Sequence, residues 1–198
     1  SCYELGAYEQ MQVHLEREMR LIRQLGARRF EAQNLEMAAR LLLDVGHRAE
    51  AEARLREALA ICRDVGTQFS GPKTVAALSR VVVDRAERER LLGEGEELLR
   101  QGSVGHNHLW FYRDAIEAML AAGDAVGALR YAAALEAYTS SEPLPWSQLF
   151  VTRGRALAAA LQSRSHDATR RELSEVRAAL LDTGLTAFLP TVEAALTA

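Results

Sequence analysis

The stretch between Leu35 and Ile61 carries the pattern of two helices that face each other across a short turn. Apolar residues recur at helical spacing on both sides of Gly46, and glycine is a residue type that often ends a helix. These residues are Leu35, Ala38, Ala39 and Leu42 before the glycine, and Ala51, Leu55, Ala58 and Leu59 after it. The alanines let the two helices lie close together, and the leucines fill the space between them. Such a hairpin cannot bury its apolar face alone, so the pattern predicts further helix pairs stacked on either side.

The composition favours tightly packed helices over sheet. Hydrophobic residues make up 48% of the 198 residues but aromatic ones only 6%, so the apolar content is mainly Ala, Leu and Val. The net charge of −3 offers no basic footprint for nucleic acid. No apolar run approaches the roughly 20 residues that span a bilayer, so we expect no membrane association. Two cysteines are too few for a disulfide framework, which favours a cytoplasmic protein.

Glycines at regular intervals predict where the helices end. Gly26 and Gly66 lie 40 positions apart, and Gly46 and Gly123 lie 77 apart, which corresponds to two periods of about 38 residues. The pattern predicts helices over about 3–25, 28–45, 48–65, 72–84, 86–101, 107–122, 125–139, 146–163, 167–183 and 186–197. The first is an orphan that lacks its preceding partner, the next eight form four pairs, and the last caps the stack. We therefore expect a single helical-repeat domain over 1–198 that is a fragment of a longer chain.

The second of these pairs is the least regular. It has no glycine between its helices, and Gly93 and Gly95 fall inside its second helix, where each costs about 1 kcal/mol in helix propensity. The apolar periodicity resumes in phase at Trp110, so we interpret the pair as a degenerate repeat rather than a domain boundary.

Two of the helix pairs resemble the tetratricopeptide repeat. They align on a glycine and on the alanine five residues after it, which are Gly46 and Ala51 in one pair and Gly123 and Ala128 in the other. The residues on the family's packing positions are Leu35, Ala39, Leu42, Ala51, Leu55 and Ala58 in the first pair, and Tyr112, Ile116, Met119 and Ala128 in the third. The resemblance implies an all-α fold in which antiparallel helix pairs form a right-handed superhelix.

Three longer segments resemble the C-terminal repeat region of large bacterial signalling ATPases. Many of those proteins begin with an adenylate or guanylate cyclase domain, followed by an ATPase module. The segments are residues 25–33, 105–114 and 137–146. The resemblance implies a regulatory or partner-sensing role. Within this chain we expect no enzyme activity and no cofactor, because Lys73 lacks the glycine spacing of a phosphate-binding loop and no nucleophile motif is present.

The candidate binding residues lie where the tetratricopeptide resemblance places the concave groove. On the helix 107–122 they are Trp110, Arg113 and Glu117, and at the corresponding positions of the first pair they are Gln33, Glu36 and Arg40. Tryptophan supplies an apolar anchor, arginine a fork for a carboxylate and glutamate an acceptor, a combination that suits peptide recognition. The alternative is that the tryptophan packs between repeats and the charged residues pair with one another.

The triplet His106-Asn107-His108 precedes this face. Its simplest interpretation is Asn107 as the N-cap of the helix with a histidine on either side. Both histidines, His106 and His108, remain candidates for ligand contact. We expect no metal site, because side chains two positions apart at a helix start point in different directions and further ligands are lacking nearby.

These patterns favour a non-catalytic interaction and regulatory scaffold of a multidomain bacterial signalling protein. The expected partner is a peptide or another domain of the parent chain. One alternative is a small-molecule sensor that controls an adjacent ATPase or cyclase, and another is a structural oligomerisation arm. A sensor requires an enclosed pocket of a few hundred Å³, a peptide site requires an open channel, and an arm requires no exposed Trp–Arg cluster.

Overall fold

A computed structural model describes residues 1–162 and 167–197, and in these residues the chain is helical and contains no β-strand. The α-helices are α1 Tyr8–Leu25, α2 Arg28–Asp44, α3 Arg48–Val65, α4 Gly71–Val81, α5 Arg85–Arg100, α6 His106–Ala121, α7 Ala125–Tyr138, α8 Pro145–Gln162, α9 Asp167–Asp182 and α10 Leu189–Thr197. A short 3₁₀ helix, Thr186–Phe188, precedes α10. The predicted all-α class is confirmed. Within the described residues, no helix combines the length and the apolar character that a bilayer crossing requires.

The helix boundaries differ from the predicted ones mainly at the two ends of the chain and at the end of α4, which stops at Val81 rather than at residue 84. Residues 3–7, predicted as the start of the first helix, form turns, because Gly6 adopts a φ of +67° that interrupts a right-handed helix. The predicted helix 186–197 divides into the 3₁₀ helix and α10. The predicted end of the helix 146–163 lies outside the described residues.

Glycines end several helices as the sequence predicts. Gly46, Gly66, Gly123 and Gly184 all have positive φ angles, between 71° and 107°. This left-handed conformation suits glycine, which has no Cβ to clash with the backbone. At the start of α7, the carboxylate of Asp124 accepts a hydrogen bond from the backbone N–H of Gly127 at 2.9 Å and caps the helix.

The chain divides into two compact units. The central unit is Tyr8–Ala115, and the terminal unit comprises Ser1–Ala7 together with the chain from Ile116 onward. Helix α6 contributes its residues to both, up to Ala115 in the central unit and from Ile116 in the terminal unit. The single repeat domain over 1–198 stays a prediction.

The core of the central unit forms where consecutive helices pack on one another. Helix α1 contacts α2, α2 contacts α3, α3 contacts α4 and α4 contacts α5, and α4 also contacts α2. One apolar cluster combines residues of α2 to α5, among them Ala39, Leu55, Val75, Leu78 and Leu91. Leu55 is 1% exposed, whereas Leu42 packs at the edge of the cluster and is only partly buried.

A close approach between α5 and α6 explains one of the glycines inside α5. A β-carbon added at Gly95 would overlap the ring of Phe111, which is fully buried. At Gly93 nothing lies within 4 Å of the same position. Packing therefore requires glycine at 95 but not at 93.

We expect alanine substitutions at these two glycines to change stability in opposite directions. Gly95→Ala should lower the free energy of unfolding by about 1–3 kcal/mol, because the methyl group displaces the ring of Phe111 from a filled core. Gly93→Ala should raise it by up to about 1 kcal/mol through helix propensity. Urea denaturation followed by circular dichroism measures both, and equal stability of the two variants would contradict the close packing at Gly95.

In the terminal unit, α7 packs on α8, α8 on α9, and α9 on α10. The buried side chains include Tyr131, Leu135, Phe150, Leu180 and Val192. A β-carbon at Gly154 of α8 would lie 2.9 Å from Cγ2 of Ile116, so α8 approaches the second half of α6 closely. The N-terminal residues 1–7 also belong to this unit.

Candidate functional site

Three helices of the central unit bring charged residues together around one tryptophan. We call the following seven residues the Trp110 cluster: Glu36 and Arg40 of α2, Lys73 and Arg80 of α4, and Trp110, Arg113 and Asp114 of α6. On each helix the spacing of three, four or seven positions places the side chains on a shared face. The direct contact between α2 and α4 brings two of these faces side by side.

Asp114 lies at the centre of the cluster and is fully buried. Arg40, 74 positions earlier in the chain, donates to both of its carboxylate oxygens, with Nη1 2.9 Å from Oδ1. Arg113 donates from Nη2 to Oδ1 at 3.0 Å, and Nη1 of Arg80 lies 3.5 Å from the same oxygen. Two-pronged pairing of an arginine with a carboxylate fixes both distance and orientation, so Asp114 ties α6 to α2.

Glu36 is the second buried carboxylate of the cluster. Arg40 donates to Oε1 of Glu36 through its remaining nitrogen, Nε. Nζ of Lys73 lies 3.2 Å from Oε2 of Glu36 and forms an ion pair with it. Arg40 therefore bridges two carboxylates, one on its own helix and one on α6.

Three cations surround the indole ring of Trp110. The guanidinium carbons of Arg113 and Arg40 lie 4.1 Å and 4.7 Å from the ring centroid, and Nζ of Lys73 lies at 5.8 Å. Each distance is within the range in which a cation is attracted to an aromatic face. Trp110 itself is only partly buried.

Electrostatics keep both carboxylates of the cluster ionised. Burial by itself would raise the pKa of Asp114, but Arg113, Arg40 and Arg80 lower it more, and the resulting pKa lies well below the usual range. Burial likewise opposes ionisation of Glu36, and the pairing with Arg40 and Lys73 again outweighs it, so the pKa of Glu36 is lowered. The cluster is therefore a charged network at neutral pH.

Burial limits what a ligand could touch at this site. Glu36, Arg40 and Arg113, all candidate groove residues from the sequence, are at most 1% exposed and pair within the cluster. Of the candidates in the cluster, only Trp110 is partly open to solvent. Gln33, one turn before Glu36 on α2, is also only partly buried.

The other candidates lie apart from the Trp110 cluster. Glu117 is in the part of α6 that belongs to the terminal unit, where its carboxylate pairs with Arg153 of α8. Nε2 of His106 lies 3.2 Å from the carbonyl oxygen of Phe69, and the ring of His108 packs 6.3 Å from that of Tyr112. Burial lowers the pKa of both histidines.

The N-cap predicted at Asn107 is wrong. Helix α6 begins at His106, so Asn107 lies inside the first turn. Its side-chain amide donates instead to the carbonyl oxygens of Gln68 and Phe69, at 2.9 Å and 3.2 Å. The fully buried Asn107 thereby anchors the start of α6 to the segment before α4.

The sequence interpretation missed Lys73, Arg80 and Asp114 as members of the cluster. A signal was present in α4, where every residue from 71 to 79 is buried and Lys73 is the one charge among them. A single charge within a run of otherwise uncharged residues that are mostly small or apolar indicates a buried partner of opposite charge, because an isolated charge is very costly to bury. The seven-residue spacing between Lys73 and Arg80 then places both on one face.

No protein-family model, curated protein or solved structure matches this chain. What the chain does is therefore inferred from the contacts of its own residues.

Proposed function

We propose that this chain is a non-catalytic interaction scaffold with a tetratricopeptide-like, right-handed arrangement of helix pairs. In this proposal it belongs to a cytoplasmic bacterial signalling protein that carries cyclase and ATPase domains, and it binds a peptide or a neighbouring domain. The partly exposed ring of Trp110, held by three cations, is the observation that carries the proposal.

The packing of the central unit supports a repeat arrangement. In a stack of helix pairs, the first helix of one pair contacts the first helix of the next, and these first helices line the groove. Helices α2 and α4 are the first helices of consecutive predicted pairs, and they contact each other directly. The Trp110 cluster lies on the first helices α2, α4 and α6.

The cluster supports binding by holding an aromatic anchor in a fixed orientation. Side chains that are already ordered in the free protein lose less entropy when a partner binds. The cations over Trp110 are themselves fixed by Asp114 and Glu36, so the ring has rigid support. Gln33, one turn before Glu36 on α2, offers an amide that can donate and accept hydrogen bonds.

Substituting Trp110 with alanine should weaken binding to the separately produced ATPase module of the parent chain more than tenfold. Loss of a hot-spot tryptophan typically removes 2 kcal/mol or more of binding free energy. Gln33→Arg should weaken binding as well, because it adds a large charged side chain at a partly buried candidate groove position of α2 without removing a cluster member. Isothermal titration calorimetry measures the affinities, and the melting temperature reports stability.

Tyr138→Ala is the matched control, since Tyr138 is an aromatic residue of α7 that is 41% exposed. It should bind as the wild type does. Arg113→Ala is unsuitable as a binding test, because Arg113 is fully buried against Asp114 and its removal perturbs the cluster.

A structural arm is the second candidate, and the burial of the charged residues favours it. Glu36, Arg40 and Asp114 fix the relative positions of α2 and α6, which is sufficient reason for them to be present. If Trp110→Ala and Gln33→Arg both bind the ATPase module as tightly as the wild type, the arm is the better description.

A further inference from the structure

Residues 1–7 pack against α8 and the 3₁₀ helix of the terminal unit, to which they belong. Residues 1–7 form turns rather than a helix, yet Tyr3 is 1% exposed and Glu4 8% exposed. Their partners lie in α8 and in the 3₁₀ helix Thr186–Phe188, more than 140 positions later in the chain.

Tyr3 completes a row of aromatic rings. Its ring meets that of Phe188 edge-on, with centroids 6.2 Å apart and an angle of 88°. Phe188 lies 4.6 Å from Phe150 in the same edge-on geometry, and Phe150 lies 4.6 Å from Trp146. Such arrangements are favourable beyond the area that the rings bury.

Polar groups of the terminal unit converge on Glu4 and Leu5. The indole Nε1 of Trp146 donates to Oε1 of Glu4 at 2.9 Å, and the backbone N–H of Ala187 donates to the Glu4 carbonyl at 3.2 Å. The hydroxyl of Thr186 donates to the Leu5 carbonyl at 2.8 Å. The terminal unit therefore holds the segment by two of its backbone carbonyls and by one side chain.

Leu5 and Gly6 differ in how strongly their surroundings restrict the type of residue. Leu5 is 51% exposed, so its side chain contributes little to docking. Gly6 has a φ of +67°, and a β-carbon there would lie 2.7 Å from Oγ1 of Thr186, so only glycine fits. The contacts therefore specify an aromatic residue, an acidic residue, a position with little restriction, and glycine.

We propose that this surface, formed by Trp146, Phe150 and Thr186–Phe188, is a peptide-recognition site that residues 3–6 occupy within the chain. We call it the Trp146 site. It accepts a segment with the pattern Tyr-Glu-x-Gly from another molecule when the chain's own segment leaves. It lies wholly in the terminal unit and does not depend on the function proposed for the Trp110 cluster.

Exchange requires residues 3–6 to leave the surface while the helices of the unit stay folded. These residues form turns and no regular helix or strand, and such segments open at lower free energy than core helices. Covalent attachment keeps the chain's own segment at a millimolar effective concentration, so an external peptide competes poorly until that segment is weakened.

The direct test uses the full chain with Tyr3→Ala and Glu4→Gln, which removes the ring and the carboxylate from the resident segment. The probe is a fluorescent synthetic peptide of sequence acetyl-Ser-Ser-Tyr-Glu-Leu-Gly-Ala. We expect it to bind this variant at least tenfold more tightly than the wild type, measured by fluorescence anisotropy. A control peptide with alanine and glutamine at the two recognised positions should not bind. Adding Trp146→Phe, which lacks the indole donor, should reduce peptide affinity about tenfold.

A second measurement keeps the test decisive if the double variant does not fold. In the wild-type chain, Cys2 lies in the segment and is partly exposed, whereas Cys62 is buried and burial raises the pKa of its thiol. Excess unlabelled peptide should displace the segment and speed the reaction of Cys2 with a thiol reagent severalfold, with Cys62 as the slow internal reference. Absence of both peptide binding to a folded variant and faster Cys2 labelling would overturn the proposal.

Discussion

Replacing Asp114 with asparagine should lower the free energy of unfolding by about 3–5 kcal/mol at neutral pH. The substitution keeps the size of the side chain but leaves Arg40 and Arg113 buried without the negative charge that they share. A loss of this size is a large part of the 5–15 kcal/mol that stabilises a typical domain. Urea denaturation followed by circular dichroism measures it.

Glu52→Gln in α3 is the matched control. Glu52 pairs with Arg56 at 2.7 Å, but both side chains are substantially exposed to solvent. Exposed ion pairs contribute roughly 0–1 kcal/mol, so this variant should be nearly as stable as the wild type. A similar loss of stability in both variants would show that the buried ion pairs of Asp114 contribute no more than an exposed pair does.

The effect of Asp114→Asn should also depend on pH. Because the pKa of Asp114 is lowered in the folded chain, its contribution to stability is fully present above the ordinary carboxyl pKa of about 4 and is lost as the pH falls below it. The stability difference between the wild type and the variant should therefore begin to shrink below about pH 4 and keep shrinking as the pH falls towards the lowered pKa of Asp114.

Leu55→Asp should unfold most of the central unit. Leu55 is 1% exposed among Ala39, Val75 and Leu78, where a carboxylate finds no partner in the apolar cluster. Burying an unpaired charge costs several kcal/mol, which is comparable to the stability of the whole domain. Circular dichroism at 25 °C should show a marked loss of helix.

Two further substitutions serve as comparisons for Leu55→Asp. Leu42→Asp should have a smaller effect, because Leu42 is only partly buried at the edge of the same cluster. Val83→Asp, in the loop between α4 and α5, should leave the melting temperature nearly unchanged, since Val83 is 79% exposed. If Leu55→Asp behaved like Val83→Asp, the assignment of Leu55 to the core would be wrong.

Helix ends were predictable because their causes are local. Gly46 and Gly123 end helices by their own backbone conformation, and the carboxylate of Asp124 caps α7 by accepting from an N–H only three residues away. The start of the chain was not predictable in this way. The sequence predicted a helix from residue 3, whereas residues 3–6 are held as turns by contacts with Thr186 and its neighbours far along the sequence.

The candidate site was predictable as a set of helix positions but not as a buried network. The tetratricopeptide resemblance predicted Glu36, Arg40, Trp110 and Arg113 as candidates, and the structure brings all four together. Their burial depends on Asp114 and on α4, whose position relative to α2 and α6 follows from packing that periodicity does not specify. Glu117 shares the spacing along α6, yet it pairs in the terminal unit.

Because Arg40 bridges two carboxylates, another positively charged residue could not replace it. A lysine there would carry the same charge on a single nitrogen, which could satisfy Glu36 or Asp114 but could not reproduce the three separate nitrogens that hold both. Two helices far apart in the sequence are thus joined through the geometry of one guanidinium group. For evolution of this chain, positions 36, 40 and 114 are constrained together, and a change acceptable at any one of them depends on the residues present at the other two.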